Sequence, residues 1–210
     1  MGQPGKVGKS DWRDGFLFVG NHLALDFLNT RPVQDGKAME LLPDFRALLS
    51  WFRAAGLLSS NKVTCLARAW EESPQARRAV EAVRGLRERL RTEVLAWERN
   101  GTLTRKTIDE LNRLMAEHPM LARLNPGLDA PSIELWFDPR QPQDLRAPLA
   151  HAAAQLFAHA ERQGVRKCGH CVLHFYDTSK KGTRRWCSMR LCGNRLKVAA
   201  YAVRQRVRGA

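Results

Sequence analysis

The sequence predicts an α+β fold that is mostly helical. An N-terminal helical domain with a small β-hairpin comes first, followed by a small C-terminal module of a β-hairpin plus a helix. Three observations lead there. Apolar residues recur at helical spacing between residues 16 and 163. Four of the five cysteines fall in two close pairs within the 25 residues from Cys168 to Cys192. Positive charge gathers at that same end: residues 161–210 hold 13 Lys and Arg against Glu161 and Asp177, a net of +11 out of +14 for all 210 residues.

Residues 1–14 are polar and Gly-rich, lack the apolar stretch of a secretory signal, and are expected to form a flexible tail. Residues 15–163 make up the helical domain. Pro43-Asp44 opens a helix through Phe45, Leu48, Leu49 and Phe52, which Gly56 closes. Ala76, Val80, Val83, Leu90, Val94 and Trp97 then mark one long amphipathic helix ending at Asn100-Gly101. Thr104 can cap a further helix carrying Ile108, Leu111 and Met115, which stops at His118-Pro119. Met120 to Leu124 and Ser132 to Phe137 read as two short strands around Asn125-Pro126-Gly127. Pro148 suits the first turn of a last helix with Leu149, Ala153, Leu156 and Ala160 inward. Gly164 ends that helix and marks the boundary with residues 164–210.

Two local features of the domain carry expectations. Cys65 sits in a helical pattern and is expected to be a small buried hydrophobe. His22, Asp26 and Asn29 form a polar cluster in an apolar stretch. Such side chains cap helix ends or satisfy buried backbone, with a small-molecule site as the alternative.

The cysteines read Cys168-Gly-His-Cys171, fifteen residues, then Cys187-Ser-Met-Arg-Leu-Cys192. A C-x2-C turn can aim two sulfurs at one point, and fifteen residues suffice for a hairpin that returns the second pair. Four thiolates would close a tetrahedron around one structural Zn²⁺ in a treble-clef-like zinc finger. Two disulfides would need an oxidising compartment, and a redox C-x-x-C would leave the second pair unexplained. His170 and His174 lie near enough to replace one cysteine. Between the pairs, Val172–Tyr176 is rich in strand formers, Ser179–Gly182 supplies a turn, and Thr183–Trp186 is expected to return as the partner strand.

Beyond Cys187 the period becomes helical. Leu196, Ala199, Ala200, Val203 and Val207 share one face, while Arg190, Asn194, Lys197, Tyr201, Arg204 and Arg208 share another. No acidic residue follows Asp177, so the second face is suited to phosphates and base edges rather than to mixed ion pairs.

Phe175–Ser179, Arg184–Met189 and Cys192-Gly193-Asn194-Arg195 resemble the CGNR zinc finger, and Leu25-Asp26-Phe27-Leu28-Asn29-Thr30 resembles a motif of the ABATE domain that accompanies it. The resemblance implies a bacterial stress-induced transcription regulator holding one zinc ion through Cys168, Cys171, Cys187 and Cys192. The first cysteine pair encloses two residues, where that family commonly has four.

The expected function is therefore DNA-binding transcription regulation, not enzymatic catalysis. Arg184, Arg185, Arg190, Asn194, Lys197, Tyr201 and Arg204 are the expected nucleic-acid contacts, and Arg195 is expected to pair with Asp177 inside the finger. The N-terminal domain would sense a small-molecule effector or form a homodimer. The alternatives are a protein- or RNA-interaction module and an enzyme with a zinc-bound water. No apolar run approaches the roughly 18 residues needed to cross a bilayer, so a cytoplasmic protein without a membrane partner is expected.

Overall fold

Asp14 and Gly15 turn the chain at φ of 50° and 82° and pair β1 (Trp12–Arg13) with β2 (Phe16–Leu17). The computed structural model describes residues 11–34, 36–118, 120–126 and 130–193. Residues 1–10 of the expected tail lie outside the described residues, whereas residues 11–14 take part in this first hairpin.

Helix α1 (Leu23–Leu28) follows, capped by His22, whose Nδ1 accepts the Ala24 amide at 3.2 Å. A short hairpin of β3 (Val33–Gln34) and β4 (Lys37–Ala38) leads into α2 (Phe45–Ala54). Asp44 caps α2 as the sequence predicts, and Gly56 turns away at φ 78°. Helix α3 (Ser60–Trp70) is capped by Ser59.

Cys65 is exposed, which corrects the expectation that it is buried. Helix α3 turns Leu66 to the core, with Val63, Ala67 and Trp70 packed beside it, and Cys65 lies off that stripe.

The long helix is α4 (Pro74–Asn100), started by Ser73 with Pro74 at its first position and ended by Gly101 at φ 75°. Thr104 caps α5 (Arg105–Glu117). Strands β5 (Leu121–Asn125) and β6 (Ser132–Trp136) then pair antiparallel from Leu121↔Trp136 to Asn125↔Ser132, matching the expected pair within a residue. A 3₁₀ turn at Pro142–Leu145 precedes α6 (Arg146–His159), and Leu149, Ala153 and Leu156 are buried as anticipated. The main core joins α1, α2, α4, α5 and α6 around Phe27, Trp51, Phe52, Leu86 and Leu114.

The C-terminal module begins with β7 (Val165–Lys167) and β8 (His174–Tyr176), which pair antiparallel. The hairpin is present, yet Thr183–Trp186 is not its second strand. Strand β7 occupies one edge of β8, and backbone and amide groups of the N-terminal domain occupy the other, so no edge remains for it. Thr183–Trp186 instead runs as irregular backbone. The Asp177 carboxylate accepts the Arg184 amide at 2.8 Å, and the Gly169 amide donates to the Arg185 carbonyl at 3.1 Å. After Cys187 the chain makes one wide helical turn, Met189–Gly193, with the Gly193 amide donating to the Ser188 carbonyl at 3.0 Å. The rest of the expected helix lies outside the described residues.

Candidate metal centre and its clamp

Cys168, Cys171, Cys187 and Cys192 present sulfurs that all lie within 4.8 Å of one another. Cys187 Sγ is 3.7 Å from both Cys171 Sγ and Cys192 Sγ. Four sulfurs about 2.3 Å from one tetrahedral zinc stand about 3.8 Å apart, so the donor set fits that ion. A disulfide needs about 2.05 Å, and all four cysteines are free. The cluster contains neither His170 nor His174: His170 is exposed, and His174 is buried against the N-terminal domain.

Charge explains why such a cluster calls for a cation. Hydrogen bonds from Cys171 and Cys187 hold the Cys168 thiol far below its ordinary range. The bond with Cys168 raises Cys171 and lifts Cys187 far above that range, while burial pushes Cys192 up to about 12. One bare sulfur suppresses ionisation of its neighbours. A divalent cation removes that repulsion and displaces the remaining protons, so metal capture weakens toward acid pH.

Local hydrogen bonds aim the second cysteine pair. Ser188 Oγ accepts the Arg190 amide at 3.1 Å and donates to Asp11 Oδ2 at 2.5 Å. Arg184 turns inward: Nε donates to the Trp186 carbonyl at 2.7 Å, Nη2 donates to the Cys187 carbonyl, and the guanidinium stands over the Phe175 ring at 4.7 Å. Arg185 and Arg190 are exposed. Asn194, Lys197, Tyr201 and Arg204 lie outside the described residues, as does Arg195. Asp177 accepts the Ser179 and Arg184 amides and sits 4.0 Å from Arg166.

The polar cluster near α1 acts as the module's clamp. Asn29, 1 % exposed, donates Nδ2 to the His174 carbonyl and accepts the His174 amide on Oδ1, both at 2.8 Å. The Tyr176 amide donates to the Gly20 carbonyl at 2.7 Å, and Asn21 Nδ2 donates to the Tyr176 carbonyl at 2.9 Å. Together these groups imitate a missing strand along β8. Asp26 holds the loop that supplies two of them, with Oδ1 accepting the Gly20 amide at 2.7 Å. A β-carbon at Gly20 would meet the Asp26 backbone nitrogen at 2.8 Å, so glycine is required there. Thr30 Oγ1 donates to the Phe27 carbonyl and accepts from Arg87, a buried guanidinium paired with Glu40 and Glu88. The sequence reading that these polar residues satisfy buried backbone holds for Asn29. That its partner lies 145 residues away carries no local signal.

A family profile described as "Putative stress-induced transcription regulator", the ABATE domain, matches residues 21–160. The chain belongs to the ABATE family. A second profile, the CGNR zinc finger, matches residues 165–205. No curated protein matches the chain. The ABATE body thus carries the clamp, and the CGNR finger carries the cysteines.

Burial raises the Asp26 carboxyl to about 7, against the Gly20 amide and the charge of Arg13. Its ordinary value is 3.8, so folding takes up a proton between these two values. Stability from this group is complete below about pH 4 and is lost as pH rises through 7. Between pH 5 and pH 8 wild-type stability should therefore fall by about 2–3 kcal/mol relative to Asp26→Asn. Urea midpoints of both proteins at the two pH values check it; parallel profiles would contradict the assignment.

Proposed function

We propose that this ABATE protein is a zinc-stabilised DNA-binding regulator. One structural Zn²⁺ would sit on Cys168, Cys171, Cys187 and Cys192, orienting the finger so that basic side chains meet nucleic acid. Four sulfurs fill a tetrahedron and leave no position for a substrate or an activated water, which supports a structural metal rather than a catalytic one. The observation that carries the reading is the clamped cysteine cluster beside Arg185 and Arg190. Both are exposed and lack a carboxylate partner among the described residues, and no acidic residue follows Asp177 in the sequence. Asn194, Lys197, Tyr201 and Arg204 extend that basic set along the chain. Arg184 supports the finger's backbone and would act by positioning Arg185.

Each phosphate neutralised by such a surface releases about 0.9 of a counterion, so affinity should fall steeply with salt. Anisotropy titrations of random-sequence duplexes with the zinc-loaded chain read this directly. Combining Lys197→Glu with Arg204→Glu should reduce duplex affinity by more than about a hundredfold while zinc content stays at one per chain. Unchanged affinity in that variant refutes the reading. Retention of an acidic protein without salt-sensitive duplex binding would replace it with an interaction module.

A further inference from the structure

A cleft of about 240 Å³ opens where the ABATE body meets the CGNR finger. The body contributes Arg31 and, from α4, Glu88 and Arg91; the finger contributes Lys167 from β7 and His174 from β8. Val33, Leu95 and Val172 give part of its wall an apolar surface.

Two observations mark the cleft as built for a ligand. First, its charge is unbalanced. Glu88 is shared by Arg31 at 3.5 Å, Arg87 at 2.9 Å and Arg91 at 3.4 Å, while Lys167 is exposed and has no carboxylate partner among the described residues. Burial alone would raise the Glu88 carboxyl, but the Arg87 hydrogen bond and the surrounding guanidinium charges hold it below its ordinary value. Arg91 spends Nε on Glu88 and Nη2 on the Leu28 carbonyl at 2.6 Å, so a further anion meets its remaining nitrogen and the exposed Lys167 ammonium. Second, His174 is 1 % exposed, and neither ring nitrogen has a hydrogen-bond partner. Asn29 fixes its backbone and so holds the imidazole at this place. Orphaned buried nitrogens cost stability until something meets them. Burial, with the charges of Arg91 and Lys167, keeps the ring neutral, leaving one N–H to donate.

We propose that this cleft binds a small organic carboxylate, its oxygens taken by Arg91, Lys167 and the His174 N–H and its apolar body laid on Val33, Leu95 and Val172. The two oxygens of a carboxylate can meet the Lys167 ammonium and one Arg91 N–H together, and the apolar wall favours an organic body over an inorganic oxyanion. Because both the body and the finger contribute contacts, an occupant bridges them. The site stands independently of whether the finger reads DNA.

The test titrates benzoate and hexanoate into the zinc-loaded full chain carrying ¹⁵N-labelled histidine, following the His174 ring nitrogens. At least one acid should give a saturable shift, with benzamide and hexanamide giving none. Arg91→Gln and Lys167→Met, checked for unchanged zinc content, should each weaken that binding about tenfold. Three results would each overturn the proposal: no saturable shift with either acid, an equal response to the amides, or binding indifferent to both substitutions. Inorganic phosphate that binds as tightly as the acids would overturn the need for an organic body.

Discussion

Serine at Cys187 should leave the protein without its metal ion and unfold the finger, while the ABATE body keeps its helices. Cys187 is 0 % exposed, and its sulfur stands 3.7 Å from two of the other three, so no neighbouring group can replace it. Within the finger itself little else opposes unfolding. The buried part of its apolar cluster is Leu173, Phe175 and three cysteines, joined by Leu17 of β2 and the nearby Val19. So small a core cannot offset the chain entropy of the module by itself. Structural zinc sites contribute about 10–16 kcal/mol of apparent binding energy, most of which appears as folding. Metal analysis of the purified variant should find well under one equivalent. Far-ultraviolet circular dichroism should retain the helical signal, because the main core from Phe16 to Val165 contains none of the cysteines. A variant that still carried one tightly held metal per chain would show that the four sulfurs do not form the centre. Chelation of the wild-type protein should reproduce the same state and reverse on adding Zn²⁺.

Alanine at Asn29 should cost about 4 kcal/mol, the second largest effect of a single substitution. The amide serves two buried backbone groups of His174 at once, and each orphaned group costs about 1–3 kcal/mol in addition to the small cavity left behind. The metal should stay bound, since no cysteine is touched. The finger should loosen from the body, so the His174 and Tyr176 amides would exchange hydrogen much faster than in the wild type. Asn21→Gly, which keeps the left-handed backbone at φ 55°, is the contrast. Its bond to the Tyr176 carbonyl is exposed, and removing it should cost under about 1 kcal/mol. Equal effects at the two positions would mean that the imitation strand along β8 does not hold the finger.

These two residues also separate what the sequence makes legible from what it hides. Asp44, Ser73 and Thr104 each accept a hydrogen bond from the third residue of a following helix, and Gly56 and Gly101 end helices in left-handed conformations. Such signals act within a few residues, so α2, α4 and α5 can be read directly. The cysteine spacing is equally local, because a knuckle is a turn. Strand pairing in the finger is not. Whether Val165–Lys167 or Thr183–Trp186 pairs with β8 depends on which edges of β8 are free, and Gly20, Asn21 and Asn29 decide that from the far end of the chain. Arg184 illustrates the same limit. A basic residue beside Arg185 looks like a second phosphate contact, yet carbonyls and an aromatic ring within the finger take up its guanidinium. The exposure of Cys65 is hidden for a simpler reason: a helical pattern alone does not say which stripe faces inward.

Leu17 and Val19 lie upstream of residue 21, where the ABATE match begins, yet they pack beside Cys168, Phe175 and Cys187. Cutting the gene at the boundary between the two matched segments would split one hydrophobic nucleus, and a fragment starting at residue 165 would be missing two of its walls. Excised fingers should accordingly prove fragile even with zinc supplied, so the shortest durable fragment must keep both hairpins, first and last, on one polypeptide.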